Sequence, residues 1–326
     1  MSDKPRIVVT RRIPQPALDL LAEHGDVWLS PHDRPLTREE MFDAVNGADA
    51  IVCLLHDTID DAVLDAAGPQ LKVIANVAVG FNNVDTKAIE SRGTVWFTNT
   101  PGVLTEATAD IAMSLILMTT RRLGEGERVI RSETPWVWSM FYMLGTGIQG
   151  KTLGIVGLGL IGQATARRAK AFGMEIIYSG RRQADPAIEA ELGAKYVSFD
   201  ELLETADVVS LHCPLNDETK HLINADRLKQ MREDAYLVNT TRGPVVDEQA
   251  LVDALRKGEI KGAGLDVFEE EPKINPGLLD LENAVLIPHL GSATIETRTE
   301  MGLLAAKNTV AILSGEEPPS PVVRVS

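Results

Sequence analysis

The chain has 326 residues, of which 44% are hydrophobic, and a formal net charge of −15. At roughly 150 residues per domain, that length predicts about two domains. The acidic balance argues against a nucleic-acid binder or a basic membrane-surface protein, so neither nucleic acid nor membrane is expected as a partner.

Near-continuous apolar runs of the kind buried parallel strands need come early: RIVVT (Arg6–Thr10), DAIVCLL (Asp49–Leu55), LKVIANVAV (Leu71–Val79) and TVWFTN (Thr94–Asn99). Helical patterns separate them. Thr37 with Glu40 has capping-box spacing, and Gly25 and Gly93 read as helix stops. One long helix is expected from about Val103 to Leu123. Its run Ile111–Met118 is the longest apolar stretch and is far short of the ~20 residues of a membrane span. The segment SETPWVWSMFYMLGTGIQ has no clean period and reads as an irregular connector or contact loop. A second series follows: Lys151–Gly157, Met174–Ser179, Ala194–Ser198, Asp207–His212, Ala235–Thr240, Gly262–Phe268 and Ala284–Pro288, closed by a helix over Ala293–Leu313. The class is α/β and doubly wound, with one α/β unit before and one after about residue 101.

The N-terminus enters a strand-like run without an apolar signal core. Cys53 and Cys213 lie far apart and form no C-x-x-C pair, which fits a reduced, cytoplasmic compartment. No cluster has metal-ligand spacing, and no metal is expected.

GLGLIG (Gly157–Gly162) directly follows a strand and opens a helix pattern, the context of a dinucleotide-binding turn. The first glycine permits the tight turn, the second admits the pyrophosphate, and the third lets helix and strand pack closely. A tight turn that binds nothing is the plain alternative. Some 20 residues on, an Asp or Glu would hold the ribose 2′-hydroxyl of NAD. Here stands Ser179-Gly180-Arg181-Arg182. A carboxylate would repel a 2′-phosphate, whereas a serine hydroxyl and guanidinium groups can bind one. The turn therefore reads as a preference for NADPH, with NADH still usable, or else as a basic surface turn.

Three further residues follow strand ends, where open α/β sheets place ligands. They are Arg242 in NTTRGPVVDE, Glu271 in LDVFEEEP and His289 in LIPHLGSAT. An arginine can hold a carboxylate and polarise the neighbouring carbonyl. A histidine can carry the hydroxyl proton, and a glutamate can orient that imidazole and favour its charged form. Singly, each residue has a bland reading as solvated or structural; together they form a constellation.

Through GLGLIG, HCPLNDETKHLI, VNTTRGPVVDEQALVDAL, AGLDVFEEEP and PHLGSAT, the chain resembles the D-isomer-specific 2-hydroxyacid dehydrogenases. ANVAVGFNNVD and TPGVLTEATADIAMSLIL bring it nearest the NADPH-type glyoxylate and hydroxypyruvate reductases of that family. The resemblance implies a flavodoxin-like substrate domain (residues 1–101 and 293–326) and a Rossmann nucleotide domain (102–292), with the cofactor in a cleft between them. It implies that Arg242, Glu271 and His289 are catalytic, with Arg242 also binding substrate beside Leu55, Val79, Gly80, Trp138 and Ser292. It assigns cofactor contacts to Thr105, Gly157, Gly159, Leu160, Ile161, Gly162, Ser179, Arg181, Arg182, Cys213, Pro214, Thr219, Thr240, Thr241, Asp266 and Gly291. Leu160 departs from the Arg or His of many members, and Ser-Gly-Arg-Arg departs from the usual NAD acid. The implied activity is reduction of glyoxylate, hydroxypyruvate or 2-ketogluconate to the D-2-hydroxy acid by a homodimer. Trp138 would then reach the partner's active site or serve only as an interface anchor. Other readings within reach are a nicotinamide-sensing corepressor and a phosphoglycerate- or formate-type dehydrogenase.

Overall fold

The computed structural model describes residues 4–325 and divides the chain into two compact units. One takes Met1–Leu104 and Thr294–Ser326, the other Thr105–Ala293. These divisions fall a few residues from the expected breaks at 101 and 292. In chain order the strands are β1 (Arg6–Val9), β2 (Asp26–Leu29), β3 (Ala50–Cys53), β4 (Val73–Asn76), β5 (Trp96–Thr98), β6 (Thr152–Val156), β7 (Glu175–Ser179), β8 (Ala194–Tyr196), β9 (Val208–Leu211), β10 (Tyr236–Asn239), β11 (Gly262–Leu265), β12 (Ala284–Leu286) and β13 (Pro321–Val323).

The first unit is built on a sheet of order β13-β5-β4-β3-β1-β2. Its strands run parallel except for β13, which pairs antiparallel with β5. β3 and β4 are buried along their whole length, as their unbroken apolar runs require. The helices Gln15–His24 and Ile295–Leu313 pack on each other, and Gly302 permits that approach: a Cβ there would lie 3.2 Å from Ala17 Cβ. The opposite core joins Val8, Ile51, Ile74 and Phe97 to Met41 and Val63 from the helices Arg38–Val45 and Asp61–Ala67. The Thr37–Glu40 capping box is present, with Thr37 N–H donating to the Glu40 carboxylate at 2.8 Å. Asn308, fully buried on the returning helix, donates to Asn99 O and Ser320 Oγ, which fastens the chain's end to this unit. β2 and β13 escaped the sequence reading because each is a short, partly exposed edge strand.

The second unit has the order β12-β11-β10-β9-β6-β7-β8, parallel throughout. The helices Thr105–Thr120 and Leu160–Ala171 pack together, and their buried residues join one core with Leu153, Ile155 and Val238. Phe199–Thr205, Ala225–Gln230 and Glu248–Lys257 supply the other core, with Val209, Leu237 and Ala263. The strand order reverses between β6 and β9, which makes their carboxyl ends a switch point of the kind where open α/β sheets bind ligands. The single helix expected from Val103 to Leu123 is instead two, Thr105–Thr120 and Leu123–Arg131. The break has a long-range cause. Thr146 N–H donates to Thr120 O at 2.7 Å, and Arg122 turns left-handed with φ 54.

Candidate active site

At the switch point, Gly157 has φ 95, a left-handed backbone that suits glycine, and a Cβ there would meet Cys213 N at 3.0 Å. A Cβ on Gly162 would lie 2.5 Å from Gly157 O, so this glycine sets how closely helix Leu160–Ala171 packs on the turn. Gly159 is that helix's N-cap; it brings no capping side chain, and a Cβ on it would meet open space. Uncapped first-turn N–H groups facing open space are what a pyrophosphate needs. Leu160 is exposed and Ile161 half-buried beside them. At the end of β7, Ser179 is buried and its carbonyl accepts Gly157 N–H at 2.8 Å, so the two turns are joined. Arg181 and Arg182 are exposed just beyond. Cys213 is buried and its thiol is pushed up to about 11 by that burial, which makes it an inert wall. Pro214 is exposed; its carbonyl accepts Thr219 Oγ at 2.6 Å, which fixes the loop after β9.

The other end of the crevice is more polar. Thr240 Oγ1 and His212 Nδ1 are sealed from water with no partner among the described residues. Such orphans are rare and call for a ligand or water. His212 Nε2 lies 2.9 Å from Ser210 Oγ, and burial pushes the ring's pKa from 6.5 down to about 4. The folded value is the lower one, so the unfolded chain binds the extra proton between those limits. Stability is therefore expected to fall by about 3 kcal/mol as pH drops from 6.5 to 4. Urea unfolding of His212→Asn should show a shallower acid loss than the wild type. An unchanged slope would remove His212 from the account.

Arg242, Glu271 and His289 follow β10, β11 and β12. Asn239, almost fully buried, shapes the first turn: its Oδ1 accepts Thr241 N–H and Oγ–H, and its Nδ2 donates to Arg242 O. The Arg242 guanidinium donates to Thr241 O at 2.8 Å; burial lowers its pKa and the charge of Glu271 opposes that shift. Glu271 Oε1 accepts Phe268 N–H at 3.0 Å and Oε2 lies 2.7 Å from His289 Nδ1. Nδ1 of His289 thus faces the Glu271 carboxylate. His289 sits at φ 51, a left-handed backbone that costs a non-glycine residue about 1–3 kcal/mol. Asp266 holds it there: its carboxylate accepts Leu290 N–H at 2.5 Å and Gly291 N–H at 2.8 Å, and its carbonyl accepts His289 N–H at 2.8 Å. Burial raises the Asp266 carboxyl, against the pull of those donors. Thr108, in the first helix of this unit, donates to Gly291 O at 3.1 Å; Thr105 opens the same helix and Ser292 ends the turn half-buried.

In the first unit, Leu55 follows β3 and Val79 and Gly80 follow β4. Asn99 Nδ2 donates to Val79 O at 2.8 Å and Asn76 Nδ2 to Gly80 O at 3.2 Å, while the N–H groups of Val79 and Gly80 meet no acceptor among the described residues. In the second unit, Trp138 is 73% exposed within a patch containing Val137, Met140 and Phe141.

The chain matches the family model described as D-isomer specific 2-hydroxyacid dehydrogenase, NAD binding domain, over residues 113–291. It is 48% identical to a glyoxylate reductase of Thermococcus onnurineus across 98% of this chain and 96% of that one. The chain belongs to this dehydrogenase family.

Two solved structures agree. A glyoxylate reductase from Paecilomyes thermophila superposes with a TM-score of 0.89 at 34% identity, covering 98% of this chain and 99% of that one. An NADPH-dependent glyoxylate/hydroxypyruvate reductase from Sinorhizobium meliloti, in complex with NADP and malonate, gives 0.85 at 34% identity over 98% and 97%. This dehydrogenase is therefore an oxidoreductase with a Rossmann unit, and its glycine turn and orphaned polar atoms fit a nicotinamide dinucleotide. Among the described residues no group of side chains could hold a metal, and no helix is long and apolar enough to cross a membrane. Sequence reasoning missed Asn239, His212 and Thr108 as site-shaping groups, and it gave Asp266 only a cofactor contact. Thr108 and Asp266 reach the turn after β12 from far along the chain, whereas Asn239 and His212 bond to residues two or three positions away in spacings that carry no motif.

Proposed function

We propose that this dehydrogenase reduces a small 2-oxo acid, glyoxylate or hydroxypyruvate first and 2-ketogluconate as a wider possibility, to the D-2-hydroxy acid. NADPH is the preferred cofactor and NADH a usable one. The observation that carries the reading is the 2.7 Å contact between Glu271 Oε2 and His289 Nδ1, with the charge of Arg242 nearby.

Reduced nicotinamide, when bound, supplies the hydride for the keto carbon. The protein does the rest. Arg242 grips the carboxylate and draws electron density from the keto oxygen. The imidazolium of His289 gives its Nε2 proton to that oxygen as the carbinol forms. Glu271 keeps Nδ1–H in place and stabilises the ring's positive charge before the transfer. The partnerless N–H groups of Val79 and Gly80 are assigned to the substrate carboxylate, and Leu55, Trp138 and Ser292 to the walls around it. Thr105, Cys213, Pro214, Thr219, Thr240, Thr241, Asp266 and Gly291 are assigned to the cofactor together with the glycine turn.

Ser179, Arg181 and Arg182 support the NADPH preference, since no carboxylate ends β7. Each charged hydrogen bond to a 2′-phosphate contributes roughly 1.5–3 kcal/mol. Arg181→Ala with Arg182→Ala should therefore weaken NADPH by about one to two decades or more and leave NADH nearly unchanged. Equal losses for both cofactors in fluorescence titrations would reject the role of these arginines. The exposed segment with Trp136, stacked on Tyr142 at 6.3 Å, Trp138 and Phe141 supports a homodimer, because such aromatics favour interfaces. Cys53 and Cys213, both buried and unpaired, support a cytoplasmic setting.

A further inference from the structure

We propose that Glu248, Glu269 and His221 form a clamp that positions Glu271, and through it the His289 imidazole, for proton transfer. The inference rests on the roles given above to Glu271 and His289. Glu271 lies on the loop after β11, and Glu248 holds that loop. Glu248 stands in the first turn of helix Glu248–Lys257 and is only 5% exposed. Its Oε1 accepts Glu269 N–H at 2.5 Å, which ties the loop two residues before Glu271.

The Glu269 carboxylate returns the contact. It accepts Glu248 N–H at 3.4 Å and meets His221 Nε2 at 2.5 Å. The backbone N–H of His221 in turn donates to Pro244 O at 2.8 Å, beside the turn that carries Arg242. Three loops, after β9, β10 and β11, are therefore joined through the Glu269–His221 contact, the reciprocal Glu248–Glu269 bonds and this backbone bond. Burial raises the Glu248 carboxyl, so this residue sits in its place at a cost in free energy. A neutral or apolar side chain would close a merely structural loop end more cheaply. The Glu248 carboxylate offers an acceptor oxygen aimed at Glu269 N–H, two residues from a reacting group.

These three are positioning residues, and the test separates that role from simple stability. Glu248→Ala should lower kcat for glyoxylate with NADPH about 10–100-fold, because a displacement of roughly 1 Å at a reacting group has that effect. KM and the NADPH Kd should stay within about threefold. Glu248→Gln should recover most of the rate, since its amide oxygen still accepts. The ring 15N resonances of His289, read without substrate, should move in Glu248→Ala and stay near wild type in Glu248→Gln. A Glu248→Ala protein that is less stable but has wild-type kcat and wild-type ring resonances would overturn the clamp. If Glu248→Ala does not fold, Glu269→Gln and His221→Gln at their half-exposed sites carry the same test, and unchanged kcat and resonances overturn it equally. If the wild type reduces no 2-oxo acid, the proposed function fails, and the resonances alone still decide whether the clamp holds His289.

Discussion

Replacing His289 with alanine is expected to lower kcat for 2-oxo acid reduction by roughly 10²–10⁴-fold, the usual worth of a positioned general acid. The effect should fall on kcat more than on KM, because the proposed grip of Arg242 on the carboxylate is kept. Glu271 meets His289 Nδ1, and Asp266 holds the turn through Gly291 N–H, so in the proposed mechanism Nε2 is the donor. Near-wild-type turnover by the variant would take His289 out of the chemistry.

Gly243→Ala should be nearly as damaging, although Gly243 touches no reacting group. A Cβ at this position would lie 1.8 Å from Phe268 C, 1.9 Å from Phe268 O and 2.3 Å from Glu269 N. All three are backbone atoms, so no side-chain rotation relieves the overlap. The turn bearing Arg242 and the loop bearing Glu271 must move apart. Overpacking of this kind costs about 1–3 kcal/mol or more. A separation of roughly 1 Å should lower kcat about 100-fold. Urea unfolding and steady-state kinetics on one preparation check both halves. A variant with an unchanged urea midpoint and unchanged kcat would show that the two loops are not held together as described.

The contrast between Gly157 and Gly243 shows what could be read from the chain alone. Gly157 belongs to GLGLIG, a spacing whose purpose follows from strand, turn and helix in sequence. Gly243 follows Arg242 in a stretch with no such spacing, and its constraint comes from Phe268, a residue of another loop. The same division runs through the fold. Buried strands announce themselves as apolar runs, and the Thr37–Glu40 box is local chemistry. β2 and β13 are short edges whose partners lie elsewhere, and the break at Thr120 depends on Thr146. In the site, the positions of Arg242, Glu271 and His289 after successive strands were legible, as was the basic turn at Arg181 and Arg182. The supports were not. Asp266 under the His289 turn and Glu248 under the Glu271 loop act between segments more than 20 residues apart, where only the folded chain brings donor to acceptor, and Asn239 works within its own turn through a spacing that names no motif.

The most direct test of the central claim is the wild-type kcat/KM for glyoxylate, measured side by side with NADPH and with NADH. The account predicts turnover with both, D-selective on substrates that create a stereocentre, and a clear advantage for NADPH. No turnover on glyoxylate or hydroxypyruvate, or an advantage for NADH, would contradict it.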